Sequence, residues 1–146
     1  YNYFRIKQTY RIQKMKVINT IGKRKLAVAR AVLKPGKGVI RINSENLDVY
    51  QPKLCKLRIM EPLMMAGDNV NKFNINVKVY GGGIQSQAEA VRQAIARGLV
   101  LATSSKQLKQ EFLNYDRHLL VSDVRFNEPH KSCDSKPRRK RQKSYR

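Results

Sequence analysis

The stretch from Phe73 to Thr103 constrains the fold most, because it joins a strand pattern to a long helix pattern. From Phe73 to Tyr80 apolar residues recur at every second position, which predicts a strand buried on one face and polar on the other. Gly81-Gly82-Gly83 ends this strand, since successive glycines adopt φ values closed to other residues. Ser86-Gln87-Ala88-Glu89 has the pattern of a capping box and predicts that a helix begins there. The expected buried stripe of this helix is Ala88, Val91, Ile95, Leu99 and Ala102.

The glycine turn and the helix start also predict a binding chemistry. Unpaired N–H groups and the positive end of the helix dipole favour an anion in front of them, most of all a phosphate. The glycines lack the GKS or GKT of a Walker loop, and the third glycine of a dinucleotide fingerprint is replaced by Ser86. A turn that simply needs glycine explains the same residues equally well.

Two patterns place a hairpin and a helix before this stretch. Leu26 to Leu33 alternates its side chains so that one face is mostly alanine, which predicts a strand on which a helix lies close. Lys34 to Gly38 contains a proline and two glycines, so it predicts a turn, and Val39 to Ile42 is expected to return as the second strand of a hairpin. Pro52 is expected to open a helix over Lys53 to Met60, which Pro62 interrupts.

The segment after Thr103 predicts a second helix and a last apolar run. Ser104 or Ser105 is a suitable cap for this helix, whose inner face holds Leu108 and Phe112. Leu119-Leu120-Val121 is a candidate fourth strand. A chain of 146 residues has room for one domain of ordinary size around these elements.

Charge indicates the class of partner. The sequence has 31 Lys and Arg against 10 Asp and Glu, a formal net charge of +21, and such an excess favours a polyanion. After Pro129 eight cations accompany one acid, Asp134, with almost no apolar residues. A segment of this composition does not fold alone, so we expect an extended tail. A localisation signal is the alternative explanation for such a tail.

The sequence predicts no membrane span, no disulfide and no metal site, and its first residues suggest an extension. No apolar run is long enough to span a membrane. Cys55 and Cys133 lie far apart without CxxC spacing, which predicts a reduced chain. His130-x-x-Cys133 lacks a second pair of ligands, so no metal or other cofactor is expected. Met15-Lys16-Val17 looks like a natural start, and Tyr1 to Lys14 is then an upstream extension or part of a longer product.

Four separated motifs resemble those of a known family. They are Gly22-Lys23-Arg24-Lys25-x-Ala27-x-Ala29-Arg30, Val77-x-Val79-x-Gly81-Gly82-Gly83, Gln87-Ala88-x-Ala90-x-Arg92 and Gln142-Lys143-Ser144-Tyr145-Arg146. In this order they resemble the universal small-subunit ribosomal protein nine family, called protein sixteen in eukaryotes. Tyr115-Asp116-Arg117-x-Leu119-Leu120 and the Lys-Ser-Tyr-Arg ending are similar to its archaeal and eukaryotic branch. The resemblance covers Met15 to Arg146.

This resemblance implies a fold and a domain organisation. The implied fold is an α/β (α+β) two-layer sandwich like the second domain of ribosomal protein five. It has a mixed sheet with helices on one face, a left-handed crossover and an extended basic C-terminal tail. Residues 1–14 are then an extension, residues 15–128 a globular rRNA-binding domain, and residues 129–146 the tail.

The resemblance also implies a function and two sets of contact residues. The implied protein is a non-enzymatic constituent of the small ribosomal subunit in the cytoplasm. It binds rRNA of the subunit head beside other head proteins, and its tail extends towards the tRNA in the P site. The residues expected at rRNA are Lys23, Arg24, Lys25, Arg30, Gly81, Gly82, Gly83, Gln87, Arg92, Arg125, Lys136, Arg138, Arg139, Lys140 and Arg141. Those expected near tRNA are Lys143, Ser144, Tyr145 and Arg146.

Two other functions fit part of the sequence. A nucleotide-dependent enzyme, such as a small-molecule kinase of related topology, needs a base and metal-binding carboxylates. Asp116, Asp123 and Glu89 are the nearby candidates, and none lies in a phosphoryl-transfer motif. A DNA-packaging protein explains the charge but not the ordered core or the three glycines. The sequence therefore favours a protein that binds structured RNA.

Overall fold

The protein is built on one mixed five-stranded sheet, seen in a computed structural model that describes residues 17–130, 132 and 136–139. Its strands are β1 (Ile18–Arg24), β2 (Ala27–Pro35), β3 (Ile40–Ile42), β4 (Glu45–Asn46) and β5 (Phe73–Tyr80). Their order across the sheet is β1-β2-β5-β3-β4, with β3 parallel to β5 and the other pairs antiparallel. The helices are α1 (Lys53–Ala66), α2 (Ile84–Thr103) and α3 (Lys106–Tyr115), with 3₁₀ turns at Gly67–Lys72 and Arg117–Leu119.

Helix α2 lies across β1, β2 and β5, and small residues allow it to lie close. The alanine face of β2 is completely buried beneath this helix, as its alternation predicts. A Cβ at Gly22 of β1 would lie 2.0 Å from the Ala90 carbonyl oxygen, so backbone meets backbone there. Thr20 Oγ1 donates to the Ala94 carbonyl at 2.7 Å beside this contact. The α+β fold with helices against one face of a mixed sheet is thus confirmed.

The start of α2 differs from the predicted capping box. Strand β5 has the predicted bounds, but α2 begins at Ile84 with Gly83 as its N-cap and no side-chain cap hydrogen bond. Because Gly81 and Gly82 turn the chain sharply at positive φ, Gly83 already stands at the helix start, three residues before the predicted cap Ser86. Glu89 is therefore one turn inside the helix, where its carboxylate pairs with arginines instead of the backbone.

The predicted hairpin of β2 and β3 is wrong, because β5 lies between them. Strand β3 pairs with β5 in parallel, and the chain reaches β5 from β3 through β4 and α1. The turn at Lys34 to Gly38 is held by β5, where Asn74 Oδ1 accepts from the amides of Lys37 at 2.8 Å and Val39 at 3.2 Å. A proline and glycine turn marks a change of direction equally well whether the next strand pairs directly or beyond a neighbour. Strand β1 was not predicted.

Helix α1 starts at Lys53 as predicted but continues through Pro62 to Ala66. The proline removes one helical hydrogen bond, yet its ring is buried together with Ile59 and Ala66. Burial of this apolar face therefore outweighs the interruption.

The C-terminal elements match the sequence in one case and differ in another. Ser105 caps α3 by accepting from the Leu108 amide at 3.3 Å, and Phe112 is fully buried, as predicted. The candidate fourth strand at Leu119 is instead a 3₁₀ turn, in which Asp116 accepts from the His118 amide at 2.8 Å. Across the described residues, no helix combines the length and apolar character needed to cross a membrane.

Candidate nucleic-acid interface

The glycine turn between β5 and α2 has one face against β2 and one face open. Gly81 has φ +77° and Gly82 φ +66°, and Cβ atoms there would lie 2.5 Å from the Leu26 oxygen and 3.0 Å from the Ala27 nitrogen. The fold itself therefore requires both glycines. A Cβ at Gly83 would meet nothing within 4 Å, so the α2 N-terminus faces open space. Gln87 closes the turn by donating from Nε2 to the Gly81 oxygen at 3.2 Å.

Arg92, expected at rRNA, is bound to two acids inside the protein. Its side chain is only 12% exposed, and it lies 2.6 Å from Glu61 Oε2 through Nη2 and 2.8 Å from Asp116 Oδ2 through Nη1. Since Glu61 belongs to α1 and Asp116 follows α3, Arg92 ties three helices together. This is the first of two clusters that we together call the arginine–acid network: Arg24, Arg58, Arg92 and Arg125 with Glu61, Glu89, Asp116 and Asp123.

Arg24, Arg58 and Arg125 form the second cluster of this network with Glu89 and Asp123. Arg24 at the end of β1 contacts Glu89 Oε2 through Nε at 2.6 Å and contacts Asp123 through Nη1. Arg58 contacts the other oxygen of Glu89 at 2.8 Å. Arg125 pairs with Asp123 at 2.7 Å, although its own side chain is 78% exposed. Three arginines expected at RNA thus have acidic partners within the fold.

Hydrogen bonds lower the pKa values of two acids of the network, Asp116 and Asp123. Burial works to raise the pKa of Asp116, but hydrogen bonds from the His118 amide and from Arg92 outweigh it and lower that pKa. Hydrogen bonds from the Arg125 side chain and amide hold the pKa of Asp123 well below its usual range. The cavity of about 160 Å³ between these groups is lined by both signs of charge. Asp116, Asp123 and Glu89, which an enzyme would need, are therefore all held by arginines.

A second network, which the sequence did not reveal, fixes the last part of the body along β1. Arg97 donates to the carbonyl oxygens of Leu120 at 2.8 Å and Ile21 at 2.7 Å, and to Ser122 Oγ at 3.1 Å. Gln93 Oε1 accepts from the Lys23 amide at 2.9 Å. The segment that leads towards the tail is thereby bound to the outer edge of the sheet.

The face of the sheet away from the helices, here called the open sheet face, is cationic. Arg30 of β2 and Lys78 of β5 are directly opposite each other, and Arg41 of β3 is opposite Asn76. These three cations are exposed and occupy adjacent strands. The Arg30 guanidinium carbon lies 5.8 Å from the centre of the Tyr80 ring.

Acidic residues are missing from the strand positions of this face. In the described strands the single acid is Glu45, which is in register with buried Ile42 and so belongs to the helix side. Asp48 follows β4 and lies near Lys37 at the margin of the sheet. The open sheet face therefore differs in charge from the arginine–acid network.

The remaining residues expected at RNA are exposed or lie outside the described residues. Lys23 and Lys25 are exposed at the β1–β2 end of the sheet. Lys136, Arg138 and Arg139 are exposed, and Arg138 forms an ion pair with Glu128. Outside the described residues lie Lys140, Arg141, Lys143, Ser144, Tyr145 and Arg146.

Three residues of the open sheet face were not among the predicted site residues. Arg41, Lys78 and Tyr80 follow from the period of two in their strands, which places alternate residues on one face. This alternation is visible in the sequence. It shows that the three residues share one face of the sheet only when the order of the strands is known.

A basic α+β body whose described residues form one cationic sheet face defines a class of protein that associates with polyanions. Residues 22–146 match the family model described as ribosomal protein S9/S16. The chain is 49% identical over 134 residues to the small ribosomal subunit proteins uS9 of Methanococcus maripaludis strains C7 and C5, covering 90% of this chain and 100% of each relative. The chain therefore belongs to the ribosomal protein S9/S16 family.

Membership of this family confirms the resemblance to its archaeal and eukaryotic branch. The protein is a structural, non-enzymatic constituent of the small ribosomal subunit, located in the ribosome. The nucleotide-dependent enzyme and the DNA-packaging protein are thereby set aside. Membership of the small subunit implies that its partners are ribosomal RNA and other ribosomal proteins.

Proposed function

We propose that the body of this protein binds rRNA of the small-subunit head and that its basic tail extends towards the tRNA in the P site. The observation that carries this proposal is that acids of the protein are already paired with its own arginines. In the part of the chain that the structure describes, five acidic residues are already bound to arginines, namely Glu61, Glu89, Asp116, Asp123 and Glu128. Most of the 31 cations therefore need charge from another molecule, and RNA phosphates supply it.

The start of α2 supports one close approach of the RNA backbone. Gln87 is the first residue whose amide bonds back into the turn, to the Gly83 oxygen at 2.9 Å, so the helical N–H groups before it face outward. Among the described residues, no atom lies within 4 Å of a Cβ built at Gly83. A phosphate there would meet free donors and the positive end of the helix dipole.

The tail is tested by its removal from the full protein. Particles assembled with a chain lacking residues 138–146 should contain the protein in nearly normal amounts, because the body stays intact. They should retain P-site tRNA about 10-fold less well, since a charge-assisted phosphate contact contributes about 1 to 3 kcal/mol. Filter binding of tRNA to purified subunits measures this loss.

A control separates charge from length in this experiment. A chain with residues 138–146 replaced by the same number of glycines and serines should behave like the truncated chain. Normal tRNA retention by either variant would contradict a role for the tail, whereas loss of incorporation would place the tail's role in assembly.

Two glycine variants test the RNA approach at the helix start. Gly82→Val should lower the stability of the free protein, since a β-branched residue at φ +66° is strained whatever binds there. Gly83→Val should leave thermal unfolding nearly unchanged but reduce incorporation into subunits, because its side chain fills the open space. If Gly83→Val particles assemble at the normal rate, no RNA backbone lies at this turn.

A further inference from the structure

The open sheet face combines features that cost free energy unless an anion covers it. Arg30 and Lys78 are directly opposite on neighbouring strands, and like charges at such positions repel each other. No acidic residue of the described strands lies on this face to relieve that repulsion. In the arginine–acid network, acids of the fold offset the repulsion between cations. On the open sheet face this repulsion is offset only when an anionic partner binds.

The open sheet face also carries aromatic and aliphatic side chains beside its cations. Tyr80 is 52% exposed, and the Arg30 guanidinium lies over its ring. Ile21 is 47% exposed in register with Arg30, and Val28 and Val32 are half-buried on the same face. Phosphates suit the cations, while ribose and base edges suit the tyrosine and the aliphatic side chains.

From this complementarity we infer that the open sheet face is the surface by which the body docks on rRNA. The RNA backbone crosses the strands so that phosphates meet Arg30, Lys78 and Arg41, and Tyr80 contacts a ribose or base. This inference rests on the proposed rRNA binding and names the surface that performs it. The arginine–acid network is then structural, because its arginines already have acidic partners inside the fold.

A charge-matched pair of variants tests the surface. The first replaces Arg30, Lys78 and Arg41 with glutamine, and the control replaces Lys53, Lys106 and Lys109, which are exposed on the helices. Both lose three charges from the full chain. Binding to a transcript of the small-subunit head rRNA is titrated at several salt concentrations, and thermal unfolding checks that both variants are folded.

The two variants should differ in the salt dependence of binding. Each lost phosphate contact lowers the slope of log K against log salt by about 0.7 to 0.9, so the sheet variant should lose about 2 to 3 and the control less than about 1. At moderate salt the sheet variant should bind about 10- to 100-fold more weakly than the unmodified protein. Equal losses in both variants would overturn the inference and leave rRNA binding standing.

A second measurement needs no variant and covers the case of misfolding. In the complex of the unmodified protein with rRNA, Lys78 should be protected from acylation by an amine-reactive reagent, while Lys106 and Lys109 should react as before. Reactive Lys78 in a saturated complex would overturn the docking surface. A sheet variant that loses binding to a neighbouring protein but keeps its affinity for rRNA would overturn it too. Absence of affinity in the unmodified protein would instead defeat the proposed function itself.

Discussion

Arg92 and Arg30 each follow a pair of alternating alanines in a motif of the family, yet the two arginines have opposite surroundings. Arg92 is 12% exposed and is held by Glu61 and Asp116 between the helices. Arg30 lies on the open sheet face opposite another cation, with the Tyr80 ring as its neighbour. One arginine stabilises the fold and the other is left for a partner.

This difference shows that net charge alone does not identify a binding surface. Four acids, Glu61, Glu89, Asp116 and Asp123, pair with the arginines that connect the helices and the end of β1. The sheet receives almost none of the chain's acids. A charge excess becomes informative when the structure separates cations with internal partners from cations without them.

The largest effect is expected when Arg92 is removed from the arginine–acid network. Arg92→Ala leaves the carboxylates of Glu61 and Asp116 without their cation, so we expect a loss of about 2 to 3 kcal/mol in the free energy of unfolding. Arg41→Ala on the open sheet face is the control, which should change stability by less than about 0.5 kcal/mol. Guanidinium unfolding of the full chain measures both. Equal effects would remove the distinction between the two regions.

An intermediate effect is expected when the open sheet face is given an acid of its own. Asn76→Asp keeps the shape of the side chain and places a carboxylate opposite Arg41. Stability should change by less than about 0.5 kcal/mol, because an exposed pair contributes little. Affinity for the head rRNA transcript should fall about 10-fold, since the new charge competes with phosphate for the cation. Asn114→Asp on α3 is the control for the added charge. If Asn76→Asp and Asn114→Asp bind the transcript equally well, the open sheet face is not the surface that contacts rRNA.

The smallest effect concerns acid pH. The folded pKa of Asp116 is lowered from its ordinary value of 3.8, so its contribution to stability is present above that pH and is lost as the pH falls below it. Thermal unfolding from pH 5 to pH 2.5 should therefore show a flatter decline in Asp116→Asn than in the unmodified protein. Asp68→Asn, an exposed carboxylate outside the network, serves as the control. A decline of the same slope in all three would contradict the role of Asp116.

Much of the fold followed from local patterns in the sequence. The alternation of Phe73 to Tyr80 gave the bounds of β5, and Ser105 marked the start of α3. Local patterns could not show that β5 inserts between β2 and β3, because that pairing depends on the whole sheet. Strand β1 escaped notice because its buried positions are Thr20 and Gly22, which lack an apolar signal.

The candidate site was less accessible to sequence reasoning than the fold. Family resemblance named Arg24, Arg92 and Arg125, but their acidic partners come from distant segments that only the folded chain brings together. The glycine turn was recognised, although its need for Gly81 and Gly82 comes from contacts with β2. The cations of the open sheet face required the strand order. Assignments of rRNA and tRNA contacts to single residues stay predictions.

The hydrogen bonds along β1 have a further consequence for the protein before it joins a particle. A free edge of a sheet is a template on which another chain can add a strand, and such addition leads to aggregates. Here the outward carbonyl of Ile21 and amide of Lys23 are already occupied by Arg97 and Gln93. The newly made polypeptide therefore carries its own protection against edge-to-edge self-association while it waits for assembly.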